Sequence, residues 1–389
     1  MNRPGDGRYV LAFDGSRGLG SLFVLVAHFG FLQTGWVGVQ FFFVLSGYLI
    51  TSILITQQDR APSLGAHLKV FYQRRMLRIF PSYFGYLAVC TATLLLFGKP
   101  GVLRRVWVYL VTYTYNIYLS LPGHPLERYF SHLWSLSAEE QFYLIWPFVI
   151  YFLRGRARAM AVVAVLVAVP MLRVAAHVYA GSHGVAPNAL GQALYMGTVF
   201  QFDAFAAGAA IAVFRWERFT WAPRAFIIGA SAALVYGLAA MWLYPEPVVQ
   251  RVDAFSLVRQ GLSLGFPVMM VPRAQYLWGY SLVNLLSVLL VITMTQSHWI
   301  TRFLSTPVLV WMGRLSYTTY IIHLPIQAIL QDHYRAPLHT LNGFLLMFPY
   351  IAIVVLLSHL SYKYYESWFL KLKDRIAAQP QRPPDRAAA

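Results

Sequence analysis

The feature that most restricts the fold is a series of apolar segments that recurs from one end of the 389-residue chain to the other. A helix needs about 20 mainly apolar residues to span the hydrocarbon core of a bilayer. Twelve candidate segments lie at residues 12–32, 36–56, 82–98, 102–120, 133–153, 159–179, 194–214, 225–244, 255–271, 276–296, 306–331 and 342–362. Because helices satisfy their own backbone hydrogen bonds in lipid, this pattern predicts an all-α, multi-pass membrane bundle.

The composition agrees with a lipid environment. The chain is 58% hydrophobic and only 12% charged, whereas charged residues make up about 25% of a typical soluble protein. Its net charge of +17 could suggest nucleic acid, but positive residues are expected in the cytoplasmic loops of membrane proteins. We therefore predict the lipid bilayer as a partner and no nucleic acid. The single cysteine, Cys90, rules out an internal disulfide.

The distribution of Lys and Arg predicts the topology. Basic residues are concentrated at 57–81, 154–158 and 215–224 and in the C-terminal tail, and the positive-inside rule places all four segments in the cytoplasm. An even number of crossings must separate segments on the same side, so 102–120 and 255–271 are interpreted as non-spanning pieces. About ten transmembrane helices remain, with both termini cytoplasmic. We predict a membrane domain over residues 1–370 and a disordered cytoplasmic tail over residues 371–389.

Ionisable residues inside the apolar segments are candidates for function, since they are expensive in lipid. Three that this topology places at one depth in the outer half are His28, Glu139 and His323. Four arginines that it places near the inner face are Arg17, Arg75, Arg78 and Arg314. A histidine supported by a carboxylate suits general-base chemistry, and clustered guanidinium groups suit a phosphate-containing ligand.

Other interpretations of the same residues remain open. A single intramembrane histidine can join packed helices through a hydrogen bond, and arginines at the inner face can contact anionic headgroups. Intramembrane His, Glu and Arg also suit a proton-coupled transporter or a flippase of a lipid-linked or small-molecule substrate. The remaining histidines form no metal-ligand spacing, so we predict no metal site.

Several motifs, in order along nearly the whole chain, resemble those of the bacterial integral-membrane acyltransferase-3 family. They are FDGSRG (13–18) followed by His28, GWVGVQFFFVLSGYLIT (35–51), RRMLRIFPSY (74–83), HLWSLSAEEQFYLIWP (132–147), GRLSYTTYIIHLPI (313–326) and YYESW (364–368). The resemblance implies an O-acyltransferase that takes an acyl group, acetyl or another short chain, from cytoplasmic acyl-coenzyme A. The acceptor would be a hydroxyl of a glycan, glycolipid or small molecule at the membrane or its outer face.

The resemblance also implies roles for individual residues. His28 becomes the catalytic base with Glu139 as its partner, and Arg17, Arg75 and Arg78 become contacts of the acyl donor. Further substrate-binding positions are Asp14, Trp134, Ser137, Tyr143, Arg314 and His323. No bound cofactor is expected, because acyl-coenzyme A (acetyl-coenzyme A in the simplest case) acts as a substrate. The implied location is the bacterial cytoplasmic (inner) membrane.

Overall fold

The structure is a computed structural model, and it describes residues 10–58, 63–96, 98, 100–121, 123–243, 263–334 and 341–378. Throughout these residues the ordered elements are helices, and none is a β-strand, as the hydropathy pattern predicts. The first eight helices are α1 (Leu11–His28), α2 (Val37–Gln58), α3 (Leu64–Leu96), α4 (Pro100–Val111), α5 (Tyr115–Ser120), α6 (Leu133–Phe152), α7 (Gly155–Ser182) and α8 (Pro187–Met196). The others are α9 (Phe202–Phe214), α10 (Ala222–Leu243), α11 (Gly279–Met294), α12 (Trp299–Leu304), α13 (Pro307–Tyr334), α14 (Leu341–Ser361) and α15 (Ser367–Ala378).

Five helical segments in the described part of the chain are both long and apolar enough to cross a membrane. They are Gln33–Gln58, Leu64–Leu96, Gly155–Ser182, Ala222–Leu243 and Leu341–Leu372. Two shorter apolar helices, Phe202–Phe214 and Gly279–Met294, accompany them. The chain is therefore a multi-pass helical protein of membrane character, while the count of about ten crossings and the cytoplasmic termini stay predictions.

Two of the apolar segments are not continuous helices. Segment 102–120 is divided between α4 and α5, and Tyr113 in the connection has a positive φ of 53°, so neither piece could span a bilayer core of about 30 Å. Segment 194–214, predicted as one crossing, is broken after Met196. The Gln201 side chain donates to the carbonyls of Leu194 and Tyr195 at 2.9 and 3.1 Å and so caps the end of α8. Hydropathy alone could not reveal this break.

Two other sequence predictions fall partly outside the described residues. Of segment 255–271, only residues 263–271 are described, and they form turns and one short 3₁₀ segment, Val268–Met270. The predicted boundary after residue 370 falls inside α15, which extends to Ala378, and residues 379–389 of the predicted tail are not described. The division into a membrane domain and a cytoplasmic tail stays a prediction.

In the centre of the bundle, helices cross closely at glycines, which have no side chain to keep the two backbones apart. At the crossing of α1 and α13, a Cβ added to Gly313 would lie 1.8 Å from the Asp14 carbonyl oxygen. At the crossing of α2 and α9, a Cβ on Gly208 would lie 1.9 Å from the Val44 carbonyl oxygen. Small residues allow such backbone contact between membrane helices. The first crossing fixes the part of α1 that carries Asp14 and Arg17.

Candidate active site

A cavity of about 600 Å³ lies between α1, α2, α3, α6 and α13. Along α2 its lining extends from Val39 to Ile53, a rise of about 20 Å. The charged residues in its wall are Asp14, Arg17, Arg74, Arg75, Arg78 and Glu139. A long cavity with four guanidinium groups and two carboxylates is suited to an extended anionic ligand.

Helix α1 contributes an ion pair to the cavity. Arg17 Nη1 lies 3.2 Å from Asp14 Oδ1, one turn earlier on the same helix. The second oxygen, Asp14 Oδ2, is buried without a hydrogen-bond partner. Asp14 is thus placed to orient Arg17. Only one Arg17 nitrogen bonds this carboxylate, so the other N–H groups of the guanidinium remain available to donate to a ligand.

Helix α3 contributes the two arginines of the R-x-x-R motif. Arg75 and Arg78 lie one turn apart and line the same cavity, as the spacing predicts. The guanidinium carbon of Arg75 lies 5.2 Å from the centre of the Tyr143 ring and 5.9 Å from that of Phe71. Among the described residues, the ion pairs involve Arg17, Arg105, Arg128 and Arg173 but neither of these arginines. Their charges are available to an anion.

Glu139 belongs to the arginine cavity. Its Oε1 accepts hydrogen bonds from the Ser46 and Tyr143 hydroxyls, and these two hydroxyl oxygens lie 3.4 Å apart. Glu139, Tyr143 and Arg75 therefore form a connected group in one wall. Ser46 was not predicted from the sequence, since a serine in an apolar helix carries no distinguishing signal.

His28 lies in a separate cluster of three imidazole rings. The His28 and His323 ring centres are 4.7 Å apart, and those of His323 and His132 are 4.9 Å apart. His28 is the last residue of α1, where the Gln327 side chain donates to its carbonyl oxygen. Within the described residues, no group of His, Cys, Asp or Glu has an arrangement suited to a metal ion.

The structure does not bring His28 and Glu139 together as the sequence interpretation expected. The His28 ring bonds the Val24 carbonyl through Nδ1 at 2.9 Å, whereas Glu139 bonds hydroxyls in the arginine cavity. Equal depth in the membrane, which was inferred from hydropathy, does not determine which of these side chains contact each other. His28 instead neighbours His323 and His132, and the sequence interpretation left His132 without a role.

Two hydroxyl side chains stand between the arginine cavity and the histidine cluster. Ser135 and Tyr320 line the cavity, and their hydroxyl oxygens lie 2.5 Å apart. The Tyr320 hydroxyl donates to the His132 carbonyl at 2.9 Å, and its ring centre lies 5.5 Å from that of His323. The pair thus contacts both the arginine cavity and the histidine cluster.

Three other predicted substrate-binding residues lie away from the cavity lining. Trp134 is buried and packs against the rings of Tyr195 and Phe43, with ring centres 4.6 and 5.9 Å away. Ser137 is fully buried and donates to the Leu133 carbonyl. Arg314 is exposed on α13 and is absent from the cavity wall. Tyr143, in contrast, lines the cavity.

Similarity to known proteins extends over nearly the whole chain. The acyltransferase domain family matches residues 10–363. "O-acetyltransferase OatA" of Staphylococcus aureus (strain NCTC 8325 / PS 47) is 26% identical over 378 residues, covering 92% of this chain and 57% of that protein. "Putative O-acetyltransferase SACOL0978" of S. aureus (strain COL) is 26% identical over 396 residues, covering 97% of this chain and 59% of that protein. No solved structure matches significantly.

The described part of the chain is a bundle of apolar helices with an arginine-lined cavity, which is the architecture of a multi-pass membrane protein. The extent of the family match then places it: the chain belongs to the acyltransferase-3 family of integral-membrane proteins. It spans a little less than three fifths of the length of the curated relatives it matches.

Proposed function

We propose that the protein is an acyl-coenzyme A-dependent O-acyltransferase of the bacterial cytoplasmic membrane. The acyl group, acetyl or another short chain, passes to a hydroxyl of a sugar-containing acceptor at the membrane or its outer face. The observation that carries the proposal is the convergence of Arg17, Arg75 and Arg78 on one elongated cavity. The family match and the printed names of the relatives support acyl transfer as the reaction.

The cavity suits the donor because coenzyme A combines several phosphate groups with a long, uncharged arm. Guanidinium groups bind phosphate oxygens through paired hydrogen bonds, and those of Arg75 and Arg78 have no carboxylate partner among the described ion pairs. The phosphates would lie against these arginines, with the arm extending towards Ser135 and Tyr320. That direction brings the thioester to the wall next to the histidines.

His28 is the candidate base for the transfer. Its Nδ1 donates to the Val24 carbonyl, so in the neutral ring Nε2 carries the lone pair. Nε2 would take the proton from the acceptor hydroxyl as its oxygen attacks the thioester carbonyl carbon. The carbon–sulfur bond then breaks, and the coenzyme A thiolate receives that proton from the His28 imidazolium. One ester and one thiol are formed, with no net proton change.

The proposal is tested with purified protein in lipid nanodiscs. Acetyl-coenzyme A binding is measured by calorimetry for wild type, Arg75→Lys, Arg78→Lys and the double variant. Lysine keeps the charge but loses the planar fork, so we expect the double variant to weaken binding by about tenfold or more, equivalent to about 1.4 kcal/mol.

Arg105→Lys is the matched control, because Arg105 is exposed and pairs with Glu127 away from the cavity. It should bind the donor as the wild type does. Equal donor affinity in the wild type and the double lysine variant, or no binding by the wild type, would refute the cavity as the donor site.

A further inference from the structure

The hydroxyls of Ser135 and Tyr320 have one more polar contact than they have hydrogens. Their oxygens lie 2.5 Å apart, and the Tyr320 and Ser135 oxygens lie 2.9 and 3.2 Å from the carbonyl oxygen of His132. Each hydroxyl has one hydrogen, and a carbonyl oxygen can only accept. Only two of these three contacts can therefore be hydrogen bonds at one time.

The distances assign the two hydrogens. Hydrogen bonds from a hydroxyl to an oxygen usually have oxygen–oxygen distances of about 2.5–3.0 Å. The contact of Tyr320 with the His132 carbonyl lies inside this range, whereas that of Ser135 lies outside it. Tyr320 is thus the donor to the carbonyl, and Ser135 donates to the Tyr320 oxygen.

The hydrogen of Ser135 is the one that a ligand can take. If it turns towards the cavity, Tyr320 and the His132 carbonyl remain bonded to each other, so no buried polar group is left without a partner. Ser135 is 4% exposed and lines the arginine cavity. The Glu139 carboxylate, one turn further along α6, does not take this hydrogen, because its Oε1 accepts from other hydroxyls.

The position of Ser135 suits the reacting end of the donor. Its partner Tyr320 contacts the ring of His323, so Ser135 lies where the cavity approaches the histidine cluster. Under the proposed function the thioester arrives at this end, and its carbonyl oxygen can only accept. Negative charge develops on that oxygen when the acceptor hydroxyl attacks, and a fixed donor in a site that excludes water stabilises such charge strongly.

We propose that Ser135 is a further catalytic residue: its hydroxyl donates a hydrogen bond to the carbonyl oxygen of the donor thioester and then to the oxyanion that forms from it. The inference rests on the proposed function. As the acceptor oxygen bonds to the carbon, the electron pair of the double bond moves to the oxygen held by Ser135. The pair then returns, the carbon–sulfur bond breaks and the thiolate leaves. Ser135 keeps its proton throughout.

The bond to the carbonyl is tested without turnover. Acetyl-coenzyme A with a heavy carbon isotope at the thioester carbonyl is bound to the protein in nanodiscs, and the infrared difference from the unlabelled donor isolates the carbonyl stretch. A hydrogen bond lowers the frequency of this stretch, so we expect a lower frequency in the wild type than in Ser135→Ala. Equal frequencies would overturn the inference, whereas a wild type that does not bind the donor would refute the proposed function itself.

Initial rates show whether the same hydroxyl acts in the reaction. Radiolabelled acetyl-coenzyme A is supplied to membranes that contain each variant, and its incorporation into the membrane fraction is followed. We expect Ser135→Ala to lower kcat on the order of a hundredfold and to raise KM for the donor by at most about tenfold. The two effects differ because a hydrogen bond to an oxyanion is stronger than one to a neutral carbonyl.

Ser16→Ala is the matched control. Ser16 of α1 is 5% exposed, and its hydroxyl donates to the carbonyl three residues earlier, that of Phe13, at 2.8 Å, but it lies outside the cavity lining. It should keep the wild-type carbonyl frequency and kcat. A kcat for Ser135→Ala equal to that of the wild type, or an equal loss in Ser16→Ala, would overturn the inference even if transfer by the wild type is confirmed.

Discussion

The Arg75 guanidinium lies over the ring of Tyr143, 5.2 Å from its centre, while the hydroxyl of the same ring donates to Glu139. One tyrosine thus contacts the candidate donor site with the face of its ring and the partly buried Glu139 carboxylate with its hydroxyl. Helix α6 supplies both Glu139 and Tyr143, one turn apart. The group links the orientation of a carboxylate to the position of an arginine on α3.

The two functions of Tyr143 can be separated. Tyr143→Phe keeps the ring under Arg75 and removes the hydroxyl, whereas Tyr143→Leu removes the aromatic face. A cation–π contact contributes about 0.5–2 kcal/mol, so we expect Leu to weaken acetyl-coenzyme A binding by about 2- to 30-fold and Phe to weaken it less. Calorimetry in nanodiscs provides the comparison, and equal losses would show that the hydroxyl is the important part.

Glu139 and His28 should act on different steps because Glu139 lines the arginine cavity, whereas His28 lies against His323 in the histidine cluster. We expect His28→Ala to lower kcat by about a hundredfold or more without changing the affinity for the donor, and Glu139→Gln to weaken donor binding mainly. Their effects on kcat/KM should then be nearly additive in the double variant. A double variant no worse than His28→Ala would instead indicate that the two residues act as one unit.

Gly313 should be intolerant of any side chain. A Cβ there would overlap the Asp14 carbonyl at 1.8 Å, and overpacking typically destabilises by about 1–3 kcal/mol. We expect Gly313→Ala to lower the melting temperature in detergent and the affinity for the donor, since the α1 segment with Asp14 and Arg17 must move. Gly181→Ala is the matched control, because its Cβ would have no neighbour within 4 Å. A Gly313→Ala protein with wild-type melting temperature and affinity would contradict this.

The predicted topology can be tested by cysteine accessibility. Cys90 is buried and is first replaced by alanine. A cysteine at the exposed Arg156, in the first turn of α7, should not react with an impermeant maleimide added to intact cells, because the basic segment 154–158 is predicted to be cytoplasmic. A cysteine at the exposed Pro125, in the connection between α5 and α6, should react. The reverse pattern would invert the assigned sides.

The sequence predicted local features of this chain better than the contacts between its helices. The all-helical fold follows from the apolar segment lengths, and the shared face of Arg75 and Arg78 follows from their spacing on one helix, because both are local properties of the chain. The exclusion of Arg314 from the cavity could not be predicted, since depth along a helix does not determine which face of the helix meets the cavity. For the same reason, the sequence could not predict that Glu139 and His28 have different neighbours.

Residues that complete the histidine cluster were harder to recognise. His132 precedes the first turn of α6, and from the sequence it falls at the edge of an apolar segment, where a polar residue is unremarkable. Only the packing of α1, α6 and α13 brings its ring to His323. Likewise the break after Met196 depends on hydrogen bonds from the Gln201 side chain, which no hydropathy average contains.

The wall formed by Ser135 and Tyr320 has a consequence for how an acyl group could pass from the arginine cavity to the histidines. It is made of two side chains joined by one hydrogen bond between hydroxyls, so rotation of these side chains could open the arginine cavity towards the histidine cluster without movement of a helix. Side-chain rotations are far faster than collective helix motions. Under the proposed function, such a wall would let an acyl group reach the histidines while the bulk of the donor stays in the arginine cavity.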